Sequence, residues 1–142
     1  MNSFDPEDAD QVGRALTGFG VNLLVRDVLK ARDFLRNVFG FEELNVSVDF
    51  ALLTFSGQLY QLHADQTYSN NPLPSLLPEN GPRGGGIELR LYDADPDAAE
   101  QTARDLGYEI LMASADKPHG IRECFILDPD GYCWVPSLPK KT

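Results

Sequence analysis

FILDPDGYCWV, residues 125–135, joins two apolar runs through residues that favour a chain reversal. Pro129 restricts φ to about −65° at the first corner of a turn, and Gly131 tolerates a positive φ. Asp128 carries a short carboxylate that can hydrogen-bond the backbone of the same turn. Because both flanks are rich in β-forming residues, the stretch predicts a β-hairpin whose second strand contains Val135.

Residues 21–44 show the pattern strand, helix, strand. An apolar run precedes Asp27, whose carboxylate can cap the start of a helix. The residues that follow are apolar at helical spacing until Gly40, which suits the left-handed conformation found after a helix end. The apolar positions of this helix are Ala31, Phe34, Leu35, Val38 and Phe39.

The same pattern returns from Ile87 onward. Apolar and polar residues alternate, then either Asp93 or Asp95 caps a second helix, and Pro96 occupies its first turn. We therefore predict an internal duplication in which each half has a strand, a helix and three further strands. Later strands are predicted at 46–53 and 59–63 in the first half, and at 109–112, 123–127 and 132–135 in the second.

The predicted fold class is α+β, with two tandem βαβββ units at residues 18–67 and 86–138. A chain of 142 residues can bury one sizeable core, so we expect one structural domain. Residues 1–17 are predicted to be an acidic, solvated N-terminal arm, and residues 139–142 a tail. The Pro/Gly-rich segment 68–85 is predicted to be a linker, either a lid over a binding site or a plain connector.

The charge of the chain limits its partners. It has 12 Lys and Arg against 22 Asp and Glu, a net charge of −10. This surplus opposes binding to phosphate backbones, so nucleic acid is not expected as a partner. The acidic residues either favour a cationic small molecule or simply keep the surface soluble.

The sequence also predicts a soluble, cytoplasmic protein without a membrane partner. No apolar run approaches the roughly 20 residues that a membrane-spanning helix needs. The acidic start, Met1 to Asp10, does not follow the signal-peptide pattern of a basic segment before an apolar one. Without secretory features, Cys124 and Cys133 are expected to remain reduced thiols.

A duplicated βαβββ unit that ends in Asp-Pro-Asp-Gly-Tyr (128–132) resembles the vicinal oxygen chelate superfamily. This superfamily includes glyoxalase I, extradiol dioxygenases, fosfomycin resistance enzymes and bleomycin resistance proteins. Further matching motifs are LVRD (24–27), FGF (39–41), LYD (91–93) and RECF (122–125). The resemblance implies a curved mixed sheet around a cleft, with a divalent metal on the cleft floor of family enzymes and a homodimeric assembly.

The positions that correspond to the family's metal ligands lack donors in this chain. Counting back from the two strand-ending aspartates by the family's spacing reaches Gly20 and Gly86, where the family has His. The family's carboxylate position corresponds to Val135, and Gln61 matches the remaining ligand position. One amide cannot offset the dehydration of a divalent ion. We expect no metal and no other cofactor, unless non-standard ligands bind a divalent ion.

Strand alternation assigns the residues that should line the cleft, because every second side chain points to the same face. Residues in phase with Gly20 and Gly86 are predicted to face the ligand. The predicted ligand-binding residues are Asn22, Arg26, Gln61, His63, Glu88, Arg90, Glu123 and Val135.

Two of these residues are candidates for acid-base catalysis. His63 could act as a general base beside Gln61, or it could be a hydrogen-bonded residue near a strand end. Glu88 could attract a cation or accept a proton, or it could be neutralised by Arg90. Arg26 is the other residue of opposite charge that Glu88 could neutralise.

The function that the sequence favours is metal-free binding of a small organic molecule, as in proteins of the bleomycin resistance type. The alternative is an enzyme of the same superfamily, a lyase, isomerase or dioxygenase that uses non-standard metal ligands or acid-base residues. A third hypothesis is a regulatory module whose cleft is closed by side chains. We expect a homodimer, because an open curved sheet leaves apolar edges that a second chain can cover.

Overall fold

The computed structural model describes residues 5–142, and the chain divides into two compact units. Within the described residues, the first unit contains 5–36 and 40–75, and the second contains 37–39 and 76–142. None of the helices in this part of the chain is long and apolar enough to cross a membrane.

The first unit contains a four-stranded mixed sheet with the order β1-β4-β3-β2. Strands β1 and β4 are parallel, and the other neighbours are antiparallel. The elements are α1 (Ala9–Ala15), β1 (Asn22–Val25), α2 (Val28–Phe39), β2 (Glu42–Val46), β3 (Phe50–Phe55) and β4 (Gln58–Ala64).

The second unit repeats this topology with the order β5-β8-β7-β6 and one parallel pair, β5 and β8. Its elements are β5 (Glu88–Tyr92), α3 (Pro96–Asp105), β6 (Glu109–Lys117), β7 (Ile121–Leu127) and β8 (Cys133–Pro139). The predicted α+β class and the duplicated βαβββ unit are confirmed. Strands β6 and β8 extend beyond their predicted ends, because strand pairing with β7 continues on both sides.

Helices α2 and α3 each begin at an aspartate cap. The Asp27 carboxylate accepts a hydrogen bond from the Lys30 backbone N–H at 3.0 Å, and Gly40 ends α2 with φ 77°. Of the two candidates for the second cap, Asp95 is the one used, since its carboxylate accepts the N–H of Asp97 at 3.0 Å. Asp93 instead has φ 58° in the turn that leads from β5 to α3.

The predicted continuous strand at residues 46–53 is wrong. The chain turns at residues 47–49, where the Ser47 N–H donates to the Phe50 carbonyl at 2.8 Å. The Ser47 hydroxyl also accepts the N–H of Asp49 at 3.2 Å. These local hydrogen bonds compete with strand extension and divide the segment into β2 and β3.

The described part of the acidic N-terminal segment belongs to the first unit and contains a short helix, α1. Asp8 caps α1 by accepting the N–H of Asp10 at 3.0 Å, and Val12 of this helix is buried. The Asn45 side-chain amide donates to the Pro6 carbonyl at 3.1 Å. Residues 1–4 lie outside the described residues.

A short 3₁₀ turn at Asp65–Tyr68 leads into the predicted linker, which contains a second one at Leu73–Leu76. Its later part packs on the β7–β8 turn, where the Arg83 N–H donates to the Asp130 carbonyl at 2.9 Å. The contact is close enough to require glycine, because a Cβ at Gly131 would lie 2.5 Å from the Pro82 Cα. This part of the linker is therefore anchored to the hairpin.

The Asp128 carboxylate is buried inside the β7–β8 turn. One oxygen accepts the backbone N–H groups of Asp130 at 2.9 Å and Tyr132 at 3.0 Å. The other accepts the indole N–H of Trp134 at 3.0 Å. Burial raises the pKa of Asp128 from 3.8 to about 6, although these hydrogen bonds lower it in part. The carboxylate thus connects the turn to the core side of β8.

Replacing Asp128 with Asn should change how stability depends on pH. Because the folded-state pKa of Asp128 is above its unfolded value, the folded state binds the proton more tightly, and this contribution to stability is lost as pH rises from about 4 to about 6. The unfolding free energy of the wild type, minus that of Asp128→Asn, should fall by about 2 kcal/mol between pH 4 and pH 7. Urea denaturation at several pH values measures this difference.

The control is Asp105→Asn, which removes a carboxylate at an exposed position. If the difference in unfolding free energy between the wild type and Asp128→Asn stays constant over this pH range, the raised pKa is not that of Asp128.

Candidate functional site

One face of the second sheet carries most of the predicted polar site residues. The parallel pairing of β5 and β8 places Glu88 opposite Cys133 and Arg90 opposite Val135. Alternation then puts the side chains of Glu88, Arg90 and Val135 on one face. The other face carries buried core residues such as Trp134.

Arg90 bridges two carboxylates on this face. Its Nη1 lies 3.0 Å from Glu88 Oε1, and its Nη2 lies 2.7 Å from Glu123 Oε2. The guanidinium carbon is 5.6 Å from the centre of the Tyr92 ring, within cation–π range. Burial lowers the pKa of Arg90, but the contact with Glu123 and its charge, together with Tyr92 and the charge of Glu88, raise it more, so the net pKa is above the ordinary value.

The two carboxylates differ in exposure. The Glu123 side chain is 12% exposed, whereas the Glu88 side chain is 48% exposed. Glu123 Oε2 is close to Arg90 but accepts no well-directed hydrogen bond among the described residues. The ion pair therefore compensates the charge of Glu123 but does not satisfy the hydrogen-bonding capacity of Oε2. The cluster has two carboxylates and one guanidinium group.

Of the alternatives that the sequence left open for Glu88, pairing with Arg90 is the one observed. The second partner of Arg90, Glu123, was predicted as a ligand-binding residue but not as this ion pair. The position of Glu123 on this face could have been predicted from the hairpin, because β7 and β8 are antiparallel neighbours. Tyr92 was missed, although it lies in phase with Glu88 and Arg90 on β5.

In the first unit, Gln61 and His63 lie side by side on β4. His63 Nε2 is 3.2 Å from Gln61 Oε1, and the imidazole contacts the rings of Phe50 and Tyr68, with centroid distances of 5.1 Å and 5.3 Å. Burial lowers the pKa of His63, which favours the neutral imidazole. Of the other predicted residues of this unit, Asn22 is the strand partner of Gln61.

The sequence analysis missed both rings. Phe50 is the strand partner of His63 in the β3–β4 pairing, so the register of these two strands would have indicated it. Tyr68 stands at the end of the 3₁₀ turn after β4, where strand alternation does not apply. Arg26 is exposed just beyond the end of β1.

Of the four positions that the resemblance assigns to metal ligands, three have no side-chain donor. Gly86 has φ 84°, a conformation that a histidine would adopt only with strain. Gly20 has open space around its Cα but offers no donor. Val135 is fully buried and also has no donor. Residues 5–142 contain no group of three or more His, Cys, Asp and Glu side chains placed to hold an ion.

The cysteines do not add a reactive thiol to this face. Cys124 and Cys133 are both free and buried. Burial raises the pKa of each thiol to about 11, which keeps both thiols protonated at neutral pH. The Cys124 thiol donates to the Pro96 carbonyl, with a sulfur–oxygen distance of 3.4 Å, at the start of α3.

Sequence comparison identifies the family. The model of the glyoxalase/bleomycin resistance protein/dioxygenase superfamily matches residues 17–135, which is most of the chain. The chain therefore belongs to this superfamily. No curated protein sequence matches it significantly.

Solved structures share the fold. A glyoxalase/bleomycin resistance protein/dioxygenase family enzyme from Burkholderia phytofirmans PsJN has a TM-score of 0.71 and 20% identity, over 84% of this chain and 96% of that chain. TioX from Micromonospora sp. ML1 has a TM-score of 0.63 and 22% identity, over 87% and 99%. Lactoylglutathione lyase from Agrobacterium tumefaciens has 0.63 and 22%, over 86% and 92%. At these identities the likeness establishes the fold alone.

The pKa of His63 should depend on the Tyr68 ring. In the wild type, burial lowers this pKa below 6.5, so protonation of His63 disfavours the folded state as pH falls. Tyr68→Ala should expose the imidazole and raise its pKa towards 6.5. An NMR titration of the imidazole protons measures the pKa.

Tyr60→Ala is the matched control, because Tyr60 lies on the same strand but on the opposite face, beside Phe41. An equal rise of the His63 pKa in both variants would show that Tyr68 has no specific role.

Proposed function

We propose that this chain is a small-molecule binding protein that holds an organic ligand without the metal centre of the family's enzymes. The observation that carries the proposal is the pairing of Val135 with Arg90 on β8 and β5. A valine replaces the expected carboxylate ligand there, and a guanidinium lies on the same face. A positive charge at this place opposes a divalent cation.

The composition of the two polar clusters supports a binding role. In the second unit, charged groups adjoin the exposed ring of Tyr92. In the first unit, Gln61 and neutral His63 adjoin two aromatic rings. A few polar groups set among apolar and aromatic surface are typical of small-molecule sites. The excess carboxylate beside Arg90 and the net charge of −10 favour a ligand with a cationic group.

We also propose that the protein is a cytoplasmic homodimer. Strand β5 is an edge strand of its sheet, and Ile87 next to it is exposed together with Tyr92. A second copy that covers this edge would remove both apolar side chains from water.

Thermal unfolding with a ligand panel tests the binding role. The panel contains aromatic catechols, thiol conjugates, cationic antibiotics and divalent metal salts. At least one organic compound should raise the unfolding temperature, since a ligand at about 100 times its Kd stabilises the folded state by about 2.7 kcal/mol. This rise in unfolding temperature should be the same after the protein has been dialysed against a chelator.

The matched variant for this test is Arg90→Lys, which keeps the charge but loses the bidentate bridge. It should weaken the response to the compound that stabilises the wild type. Stoichiometric zinc, nickel, manganese or iron in protein purified without chelator would refute the proposal.

An enzyme is the second candidate, favoured by the lowered pKa of His63. A neutral imidazole oriented by Gln61 can accept a proton near neutral pH, as a general base must. Once a turnover is detected, His63→Ala or Glu88→Ala should reduce kcat by about 100-fold or more while the protein remains folded. His119→Ala is the control, since His119 lies in the exposed turn between β6 and β7. Equal activity in all three variants would exclude this acid-base role.

A further inference from the structure

The ion-pair cluster of Glu88, Arg90 and Glu123 has a consequence for cation selectivity. We propose that Arg90 is an internal cation that occupies the space between Glu88 and Glu123 and so excludes divalent metal ions from these carboxylates. The inference deepens the proposed metal-free binding function, because it names the residue that makes the face select against metals.

The geometry places one guanidinium where two carboxylates converge. Glu88 is on β5 and Glu123 is on β7, with β8 between them. The two Nη atoms of Arg90 contact one oxygen from each carboxylate, at 3.0 Å and 2.7 Å. A bridge between carboxylates from separate strands is also what a divalent ion would form.

Arginine suits this role better than lysine. A guanidinium presents separate nitrogen atoms in one plane, whereas an ammonium is a single point charge. The planar group also lies over the ring of Tyr92, at 5.6 Å from the ring centre. These contacts fix the positive charge on the face that contains Val135.

A divalent ion cannot join the cluster while Arg90 remains there. An ion bonded to a carboxylate oxygen lies about 2.0 to 2.6 Å from it, depending on the metal. Because Arg90 contacts an oxygen of each carboxylate, the ion would be within a few ångströms of the guanidinium, and two like charges at that distance repel strongly in a half-buried site. Val135 supplies no ligand to compensate.

Removing the guanidinium should reverse the selectivity. Without Arg90, the 12% exposed carboxylate of Glu123 loses its counter-charge, which is costly at this degree of burial. A divalent ion that binds Glu123, Glu88 and water molecules would supply the missing positive charge. The site should then change from metal-excluding to metal-binding.

The experiment measures Mn²⁺ binding by electron paramagnetic resonance in wild type, Arg90→Met, Arg90→Gln and Arg90→Lys. Arg90→Met and Arg90→Gln should each bind one Mn²⁺ at least about tenfold more tightly than the wild type. Arg90→Lys should stay close to the wild type, because it keeps the positive charge. Adding Glu123→Gln to Arg90→Met should abolish the gain.

Thermal unfolding with and without Mn²⁺ provides a second measurement that does not require a stable apo variant. Mn²⁺ should raise the unfolding temperature of Arg90→Met but not that of the wild type. The proposal is overturned if neither neutral variant gains affinity or thermal stability with Mn²⁺. It is also overturned if the gain survives Glu123→Gln, or if Arg90→Lys gains as much as Arg90→Met.

These outcomes are distinct from a failure of the proposed function. If the Arg90 variants acquire Mn²⁺ but no organic compound stabilises the wild type, cation exclusion stands and the binding role fails. If an organic compound binds independently of chelator but the Arg90 variants gain no metal, the binding role stands and Arg90 is not the excluding residue.

Discussion

The buried carboxylate of Asp128 fixes the hairpin on which the second unit depends. It accepts two backbone N–H groups of its own turn and the indole N–H of Trp134, so one side chain determines both the turn and the packing of the strand that follows. With the turn fixed, β7 and β8 pair so that Glu123 lies opposite Ser137. The parallel pairing of β8 with β5 then brings Arg90 opposite Val135.

Charge compensation then gives this face its chemical character. A strand that carries Glu88 and Arg90 on one side must satisfy both charges, and here the partly buried Glu123 joins them through the same guanidinium. The result is a fixed organic cation next to a valine, in a member of the glyoxalase/bleomycin resistance protein/dioxygenase superfamily. The first unit contains a neutral counterpart, an imidazole that contacts two aromatic rings and the amide of Gln61.

Much of the fold could be predicted because its signals are local. The cap at Asp27 and the left-handed Gly40 define α2 from neighbouring residues alone, and the Asp-Pro-Asp-Gly turn does the same for the last hairpin. The spacing of residues does not decide whether Asp93 or Asp95 caps α3, and it does not show that residues 46–53 are divided between two strands. Both depend on hydrogen bonds to the backbone that only the structure shows. The positions of Pro and Gly in the linker do not predict that the linker packs on Gly131.

The sequence by itself determined the duplication, the strand faces and the missing donors at Gly20, Gly86 and Val135, because these depend on residue type and on a period of two along each strand. Only the tertiary structure decided that Arg90 reaches both Glu88 and Glu123, and that Phe50 and Tyr68 contact His63. Such contacts join residues distant along the chain, and they depend on strand order, on register and on how far a long side chain extends.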